Sequence, residues 1–439
     1  MNRDSFYPAI VCFPLLLMLA GCAPMHETRQ ALSQQTPAAQ VDTALPTALK
    51  NGWPDSQWWL EYHDNQLTSL INNALQNAPD MQVAEQRIQL AEAQAKAVAT
   101  QDGPQIDFSA GWHLDIWGKN RAEVTARLGT VKARAAEREQ TRQLLAGSVA
   151  RLYWEWQTQA ALNTVLQQIE KEQNTIIATD RQLYQNGITS SVEGVETDIN
   201  ASKTRQQLND VAGKMKIIEA RLSALTNNQT KSLKLKPVAL PKVASQLPDE
   251  LGYSLLARRA DLQAAHWYVE SSLSTIDAAK AAFYPDINLM AFLQQDALHL
   301  SDLFRHSAQQ MGVTAGLTLP IFDSGRLNAN LDIAKAESNL SIASYNKAVV
   351  EAVNDVARAA SQVQTLAEKN QHQAQIERDA LRVVGLAQAR FNAGIIAGSR
   401  VSEARIPALR ERANGLLLQG QWLDASIQLT GALGGGYKR

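Results

Sequence analysis

The sequence predicts a mainly α-helical fold with a smaller transmembrane β element, built from two copies of one long-helix unit. Residues around Asp80 match residues around Asp261 without a gap at an offset of 181. Each copy then continues into a very long helix that stops at a glycine turn. Between residues 286 and 321 apolar and polar residues alternate, the period of a strand with one face toward lipid or core.

The first residues predict where the chain goes. A polar start containing Arg3 leads into the apolar run from Ala9 to Ala20, broken only by Pro14, and closes on Leu19-Ala20-Gly21-Cys22. That run is shorter than the roughly 20 apolar residues a membrane helix needs. A small-small-Cys ending suits cleavage before a cysteine that becomes acylated, so residues 1–21 read as a lipoprotein signal with lipid attachment at Cys22. Ala23 is not aspartate, which favours the outer membrane over inner-membrane retention. The other cysteine, Cys12, lies within the signal, leaving no pair for a disulfide in the mature chain.

Residues 22–79 form the anchor segment and the start of the first helix, and 80–232 form repeat one. Residues 233–250, punctuated by Pro237, Pro241 and Pro248, read as a linker or short edge strands. Repeat two covers 251–430, and 431–439 is a tail. At the 181 offset Gln82 faces Gln263, Ala84 faces Ala265, Ala97 faces Ala278, Pro104 faces Pro285 and Ile106 faces Ile287. Both stretches are amphipathic helices stopped by a proline.

The second copy then offers Ile287, Leu289 and Ala291, a polar stretch with His299 and His306, and Met311, Val313, Ala315, Leu317, Leu319 and Ile321. This is a hairpin over 286–321. After Pro320-Ile321-Phe322-Asp323-Ser324-Gly325-Arg326, helical periodicity resumes. Tyr345, Val349, Ala352, Val356, Ala359, Val363 and Leu366 follow heptad spacing, a seam that wants a partner helix. A helix over 326–390 would be a rod of roughly 95 Å. The rods end at Asn186-Gly187 and Ala393-Gly394, 207 positions apart, with the glycines suited to positive φ; returning helices follow at about 192–226 and 400–430.

Composition agrees and excludes some partners. Lys and Arg number 42 against 43 Asp and Glu, for a net charge of -1, so nothing points to nucleic acid. Hydrophobic residues at 45% suffice for a large core, while aromatics at only 6% favour extended helices packed through small side chains. The seven histidines show no metal-ligand pairing, and no phosphate-binding glycine loop or nucleophile elbow appears, so an enzyme is not expected.

These features resemble the TolC-like outer membrane factor family in its lipoprotein (NodT-type) branch. The likeness covers nearly the whole mature chain. It rests on the Cys22 lipobox, Trp58-Trp59, Arg258-Arg259-Ala260-Asp261-Leu262, Phe283-Tyr284-Pro285, Pro320-Ile321-Phe322 and the two glycine turns. It implies a homotrimer whose chains share one twelve-stranded β-barrel in outer-membrane lipid and one α-helical coiled-coil barrel in the periplasm. A periplasmic adaptor (membrane fusion) protein and an inner-membrane pump would dock to it. The implied role is the passive exit duct of a multidrug-type efflux system, with no cofactor beyond the covalent lipid on Cys22.

Family members close the periplasmic end near the helix turns. The matching positions here are Tyr184 and Phe391, three before the glycines; Glu193 and Arg400, six past them; and Glu196 and Glu403, nine past them. Glu193 with Arg400 reads as an ionic latch, against the plainer alternative of a solvated helix face. Arg400 departs from the family's frequent acid at that position.

A second departure lies in the first hairpin. From Pro104 to Ile116 is 12 positions, against 36 from Pro285 to Ile321. Gln105 to Trp117 alternates as one strand without a turn, through Ile106, Phe108, Ala110, Trp112, Leu114 and Ile116. Either it folds as a stunted hairpin below the membrane, or the chain cannot close its barrel. Both readings predict an impaired duct. The rival function is a non-conducting, lipid-anchored periplasmic coiled coil with a structural or adaptor role, which leaves the 286–321 alternation without a purpose.

Overall fold

The computed structural model describes residues 32–34, 52–100, 105–106, 109–188, 191–228, 233–242, 252–295 and 309–437. The signal, Cys22, the loop histidines His299 and His306, and Pro248 lie outside them. The helices are α1 (Asn65–Asn77), α2 (Pro79–Ala99), α3 (Lys119–Gln185), α4 (Ser191–Leu225), α5 (Gly252–Arg258), α6 (Ala260–Ala281), α7 (Arg326–Asn392) and α8 (Gly398–Ala432). The strands are β1 (Gln105–Ile106), β2 (Ser109–Leu114), β3 (Asp286–Gln295) and β4 (Gln309–Thr318). The duplication is visible in the lengths: α3 and α7 have 67 residues each, α4 and α8 have 35 each.

The described residues fall into two compact units, and each draws on both repeats. One gathers 85–137 and 261–348; the other gathers 52–84, 138–260 and 349–437. This differs from the sequence division into consecutive repeats, because each unit takes segments from both copies.

In the first unit, α3 and α6 approach through small residues. A side chain on Gly129 would stand 3.0 Å from Cβ of Ser271, whose hydroxyl donates to the Ala126 carbonyl at 2.7 Å. Tyr268 donates to Glu137 at 2.8 Å, and Lys132 lies over the Trp267 ring at 4.1 Å. Phe283, Leu327 and Leu331 form a buried cluster where α6 ends and α7 begins.

In the second unit the core is aromatic. Trp58, Trp59, Leu67, Ile71, Tyr153 and Trp154 are buried together with Leu222 and Leu423. Asp64 caps α1 by accepting from the Leu67 N–H at 2.9 Å, and its other oxygen accepts from the Tyr153 hydroxyl at 2.7 Å. The segment 233–242 has no regular secondary structure and is strapped down by glutamines instead. Gln66 and Gln157 accept from the N–H groups of Lys236 (2.9 Å) and Val238 (2.8 Å), and both donate to the Lys236 carbonyl. Amide side chains thus stand in for a neighbouring strand.

Candidate functional site: the β-sheet and the helix turns

The strands form one antiparallel sheet in the order β1-β2-β3-β4. Gln105–Trp117 is therefore not the single strand that alternation suggests. The chain reverses between Ile106 and Ser109, with Gln105 opposite Gly111 and Ile106 opposite Ala110. The segment folds as a short hairpin, and an even number of strands returns α3 to the same side of the sheet as α2. Pairing with β1 also covers an edge of β2 that a lone strand would leave open.

Register sorts the side chains by face. Ala110, Trp112 and Leu114 align with Ala291, Leu289 and Ile287, and these with Val313, Ala315 and Leu317; Leu293 aligns with Met311. This face is apolar from Ile287 to Leu293 and from Met311 to Leu317, and Gln309 ends it with a polar side chain. Met311, Val313 and Leu317 are 75%, 76% and 68% exposed. The other face carries Gly111, His113, Asn288, Met290, Phe292, Gln310, Gly312, Thr314, Gly316 and Thr318. There Phe292 lies across Gly312, where an added Cβ would meet its ring at 2.8 Å. Such a sheet is apolar outward and mainly polar and small inward, the signature of a membrane barrel wall. β3 and β4, with 10 residues each, meet the 9 to 11 residues a membrane strand needs.

Two N-caps set the base of the sheet. The Asp115 carboxylate accepts from Asn120 N–H (3.1 Å) and Arg121 N–H (3.0 Å) to start α3. Asp323 accepts from Gly325 N–H (3.0 Å) and Leu327 N–H (2.7 Å) to start α7. An acceptor there satisfies otherwise orphaned helix donors. Gly118 and Gly325 take φ of 75° and 83° at matching positions just before the two helices. Ile321 and Phe322 are exposed, Phe322 to 89%.

The second candidate region is the pair of helix turns. In the first, Gly187 N–H donates to Tyr184 C=O (2.9 Å) and Ile188 N–H to Leu183 C=O (2.9 Å); in the second, Gly394 donates to Phe391 (2.9 Å) and Ile395 to Arg390 (3.0 Å). Both are Schellman closures, which need a left-handed residue after the helix. The glycines supply it with φ of 71° and 69°.

The gate candidates divide. Tyr184 is 57% and Phe391 43% exposed, and a Cβ added at Gly398 would meet the Phe391 ring at 3.4 Å. Glu196 is exposed on α4. Arg400 bonds its own helix neighbour Glu403 at 2.7 Å. That hydrogen bond and charge, with Asp180 a lesser contributor, raise the arginine pKa further. The pair is largely exposed, so it is worth at most about 0.2 to 1 kcal/mol. The side chain of Glu193 lies outside the described residues, and its latch with Arg400 stays a proposal.

Sequence reasoning missed the order in which the helices pack here. Arg205 of α4 reaches Glu170 of α3 (3.1 Å), Arg405 of α8 reaches Glu172 of α3 (3.3 Å), and Gln373 of α7 donates to the Glu411 carbonyl of α8 (2.9 Å). The layer therefore runs α4-α3-α8-α7. Along α4 the buried Ala201, Thr204, Val211, Ile218 and Leu222 face inward at heptad spacing, so Val192, Val195, Ile199 and Ile217, all at least 50% exposed, stand on the outer edge. On α7, Leu386 is 60% exposed on the side opposite the α8 contact. Among the described residues no helix is long and apolar enough to cross a membrane, and no cluster of three or more His, Cys, Asp or Glu is placed to hold a metal ion.

The chain matches the outer membrane efflux protein family over residues 70–112, 109–228 and 251–435. Repeat one is matched in two pieces that meet at 109–112, inside β2, while repeat two is matched in one. The chain is 91% identical to a putative multidrug resistance outer membrane protein, MdtQ, of Shigella flexneri, with 100% of both chains covered. That alignment runs over 478 positions while this chain has 439 residues, so at least 39 positions have no counterpart here. Identity to the multidrug resistance outer membrane protein MdtP of Escherichia coli strain K12 is 32%, covering 96% of this chain and 94% of that one. Among solved structures, the Campylobacter jejuni CmeC outer membrane channel superposes with a TM-score of 0.80 at 17% identity, covering 95% and 96% of the two chains. The Vibrio cholerae outer membrane protein VceC gives 0.77 at 24%, covering 88% and 100%. At these identities the two structures speak for the fold.

Proposed function

Because the chain belongs to the outer membrane efflux protein family, we propose that it is built as the outer-membrane subunit of a passive exit duct in a multidrug-type efflux system. The lumen would be shared by three copies, with a periplasmic adaptor and an inner-membrane pump docked at the helix turns, and with lipid on Cys22 as the anchor. No chemistry on the cargo is involved.

The observation that carries this reading is the sheet face that is apolar from Ile287 to Leu293 and from Met311 to Leu317, with Met311, Val313 and Leu317 exposed. In water that face would be costly; in hydrocarbon it is at rest. Four strands cannot close on themselves, and an open edge is costly in lipid, so the sheet calls for neighbouring copies at its two edges. The helical layer fits the same plan, since both of its outer edges, α4 and α7, present exposed apolar residues that a ring of copies would bury. A tethered stalk explains the rods and gives this sheet face no suitable surroundings.

The test joins the two edges. With Cys introduced as Ile199→Cys and Leu386→Cys in one chain, oxidation of envelope extracts should give two-copy and three-copy bands that vanish on reduction and are absent from either single variant. Exclusively single-copy protein would reject the shared tunnel.

A further inference from the structure

We propose that copies of this chain do not seal a barrel among themselves, because the seam between β4 of one copy and β1 of the next has a full strand on one side only. This rests on the proposed function, in which copies stand edge to edge in lipid with β4 of one beside β1 of the next.

The register gives the size of the mismatch. β3 and β4 pair along ten residues, from Asp286 opposite Thr318 to Gln295 opposite Gln309. β2 pairs with β3 over six, from Leu114 opposite Ile287 to Ser109 opposite Phe292. β1 adds two residues at the level of Gly111 and Ala110, and hence of Met290 and Ala291. A ten-residue edge strand turns the N–H and C=O of every second residue outward, roughly ten groups, and the nine residues between α2 and β2, 100–108, are too few to pair such an edge along its length. The rest of the β4 edge would face hydrocarbon, where no water replaces the missing partner. A membrane strand needs about 9 to 11 residues, a length that β1 and β2 do not reach.

The shortfall falls on this hairpin and spares the helices. Pro104 and Gly118 are 14 positions apart, while their counterparts Pro285 and Gly325 are 40 apart. The paired helices keep equal lengths of 67 and 35 residues. The family match breaks inside β2 as well. The paired helices therefore keep their lengths while the first hairpin is shorter than the second.

The experiment compares the full chain with a version in which residues 101–118 are replaced by the corresponding segment of the S. flexneri relative, both purified and reconstituted into planar bilayers. The expected result is discrete, long-lived conductance steps from the restored protein and none from the present chain. Hydrogen exchange on the same two proteins in detergent should show outward-facing amides of Gln309–Thr318 exchanging at least tenfold faster in the present chain. Equal steps from both proteins, or equally protected β4 amides, would overturn the inference. If neither conducts while the exchange difference holds, the seam is open as inferred and it is the duct reading that fails.

Discussion

The indole of Trp117 lies flat on the ring of Tyr284, with centroids 4.8 Å apart and planes 17° from parallel, and its Nε1–H donates to the Pro285 carbonyl at 2.8 Å. One contact thus ties the chain leaving the first hairpin to the chain entering the second. Stacked aromatic pairs of this kind contribute about 0.5 to 1.5 kcal/mol beyond area burial. Trp117→Ala should lower unfolding free energy by about 1 to 2 kcal/mol, once the lost hydrogen bond is included. Trp117→Phe, keeping the stack, should cost less. Denaturant midpoints in detergent read both.

The two glycine turns make a second expectation. At φ near 70° a side chain with a branched β-carbon is strained, by roughly 1 to 2 kcal/mol. Gly394→Val should therefore destabilise by about that amount, whereas Gly394→Asn should cost less, since Asn visits this region. Calorimetry on the two variants separates backbone strain from loss of packing, because nothing lies within 4 Å of the position a Cβ would take.

Tyr268 supplies a pH dependence. Burial first, then its hydrogen bond to Glu137 and that carboxylate's charge, push its pKa up to about 12. An unfolded tyrosine titrates near 10. The folded state thus favours the neutral phenol: the stabilisation is complete below about pH 10 and is lost as pH rises through about 12. Tyr62, Tyr153 and Tyr345 are raised as well, so phenolate absorbance should show a group of late-titrating tyrosines that Tyr268→Phe reduces by one and unfolding shifts to the ordinary range.

Anchoring by Cys22 is tested by metabolic labelling with palmitate. The full chain should incorporate label, and Cys22→Ala should incorporate none. Label retained in that variant would reject the lipobox reading.

What the sequence made legible is what depends on local periodicity. Helix ends at Gly187 and Gly394, the strand pair over 286–318 and the duplication all follow from spacing, because positive φ, pleat and helical turn are properties of a few adjacent residues. The pairing of Gln105–Ile106 back onto β2 was not legible, since the strand alternation runs straight through both segments. Nor was the role of the C-terminal end. Leu433 to Gly436 read as a tail, yet they are buried, and Gly434 and Gly436 take φ of 93° and 82° against the backbone of Arg258 and Asp55. Arg259 of the family-like Arg-Arg-Ala-Asp-Leu stretch caps the same end by donating to the Ala432 carbonyl at 3.2 Å. Contacts between residues 173 positions apart leave no periodic trace. Arg400 illustrates the same limit, because counting from the glycine finds the position but not that Glu403 already holds it.

The shared tunnel stands or falls with electron microscopy of the detergent-extracted full chain. The expected image is a threefold particle with an open lumen walled by paired helices. Single copies, or bundles whose helices pack around a solid centre, would contradict it.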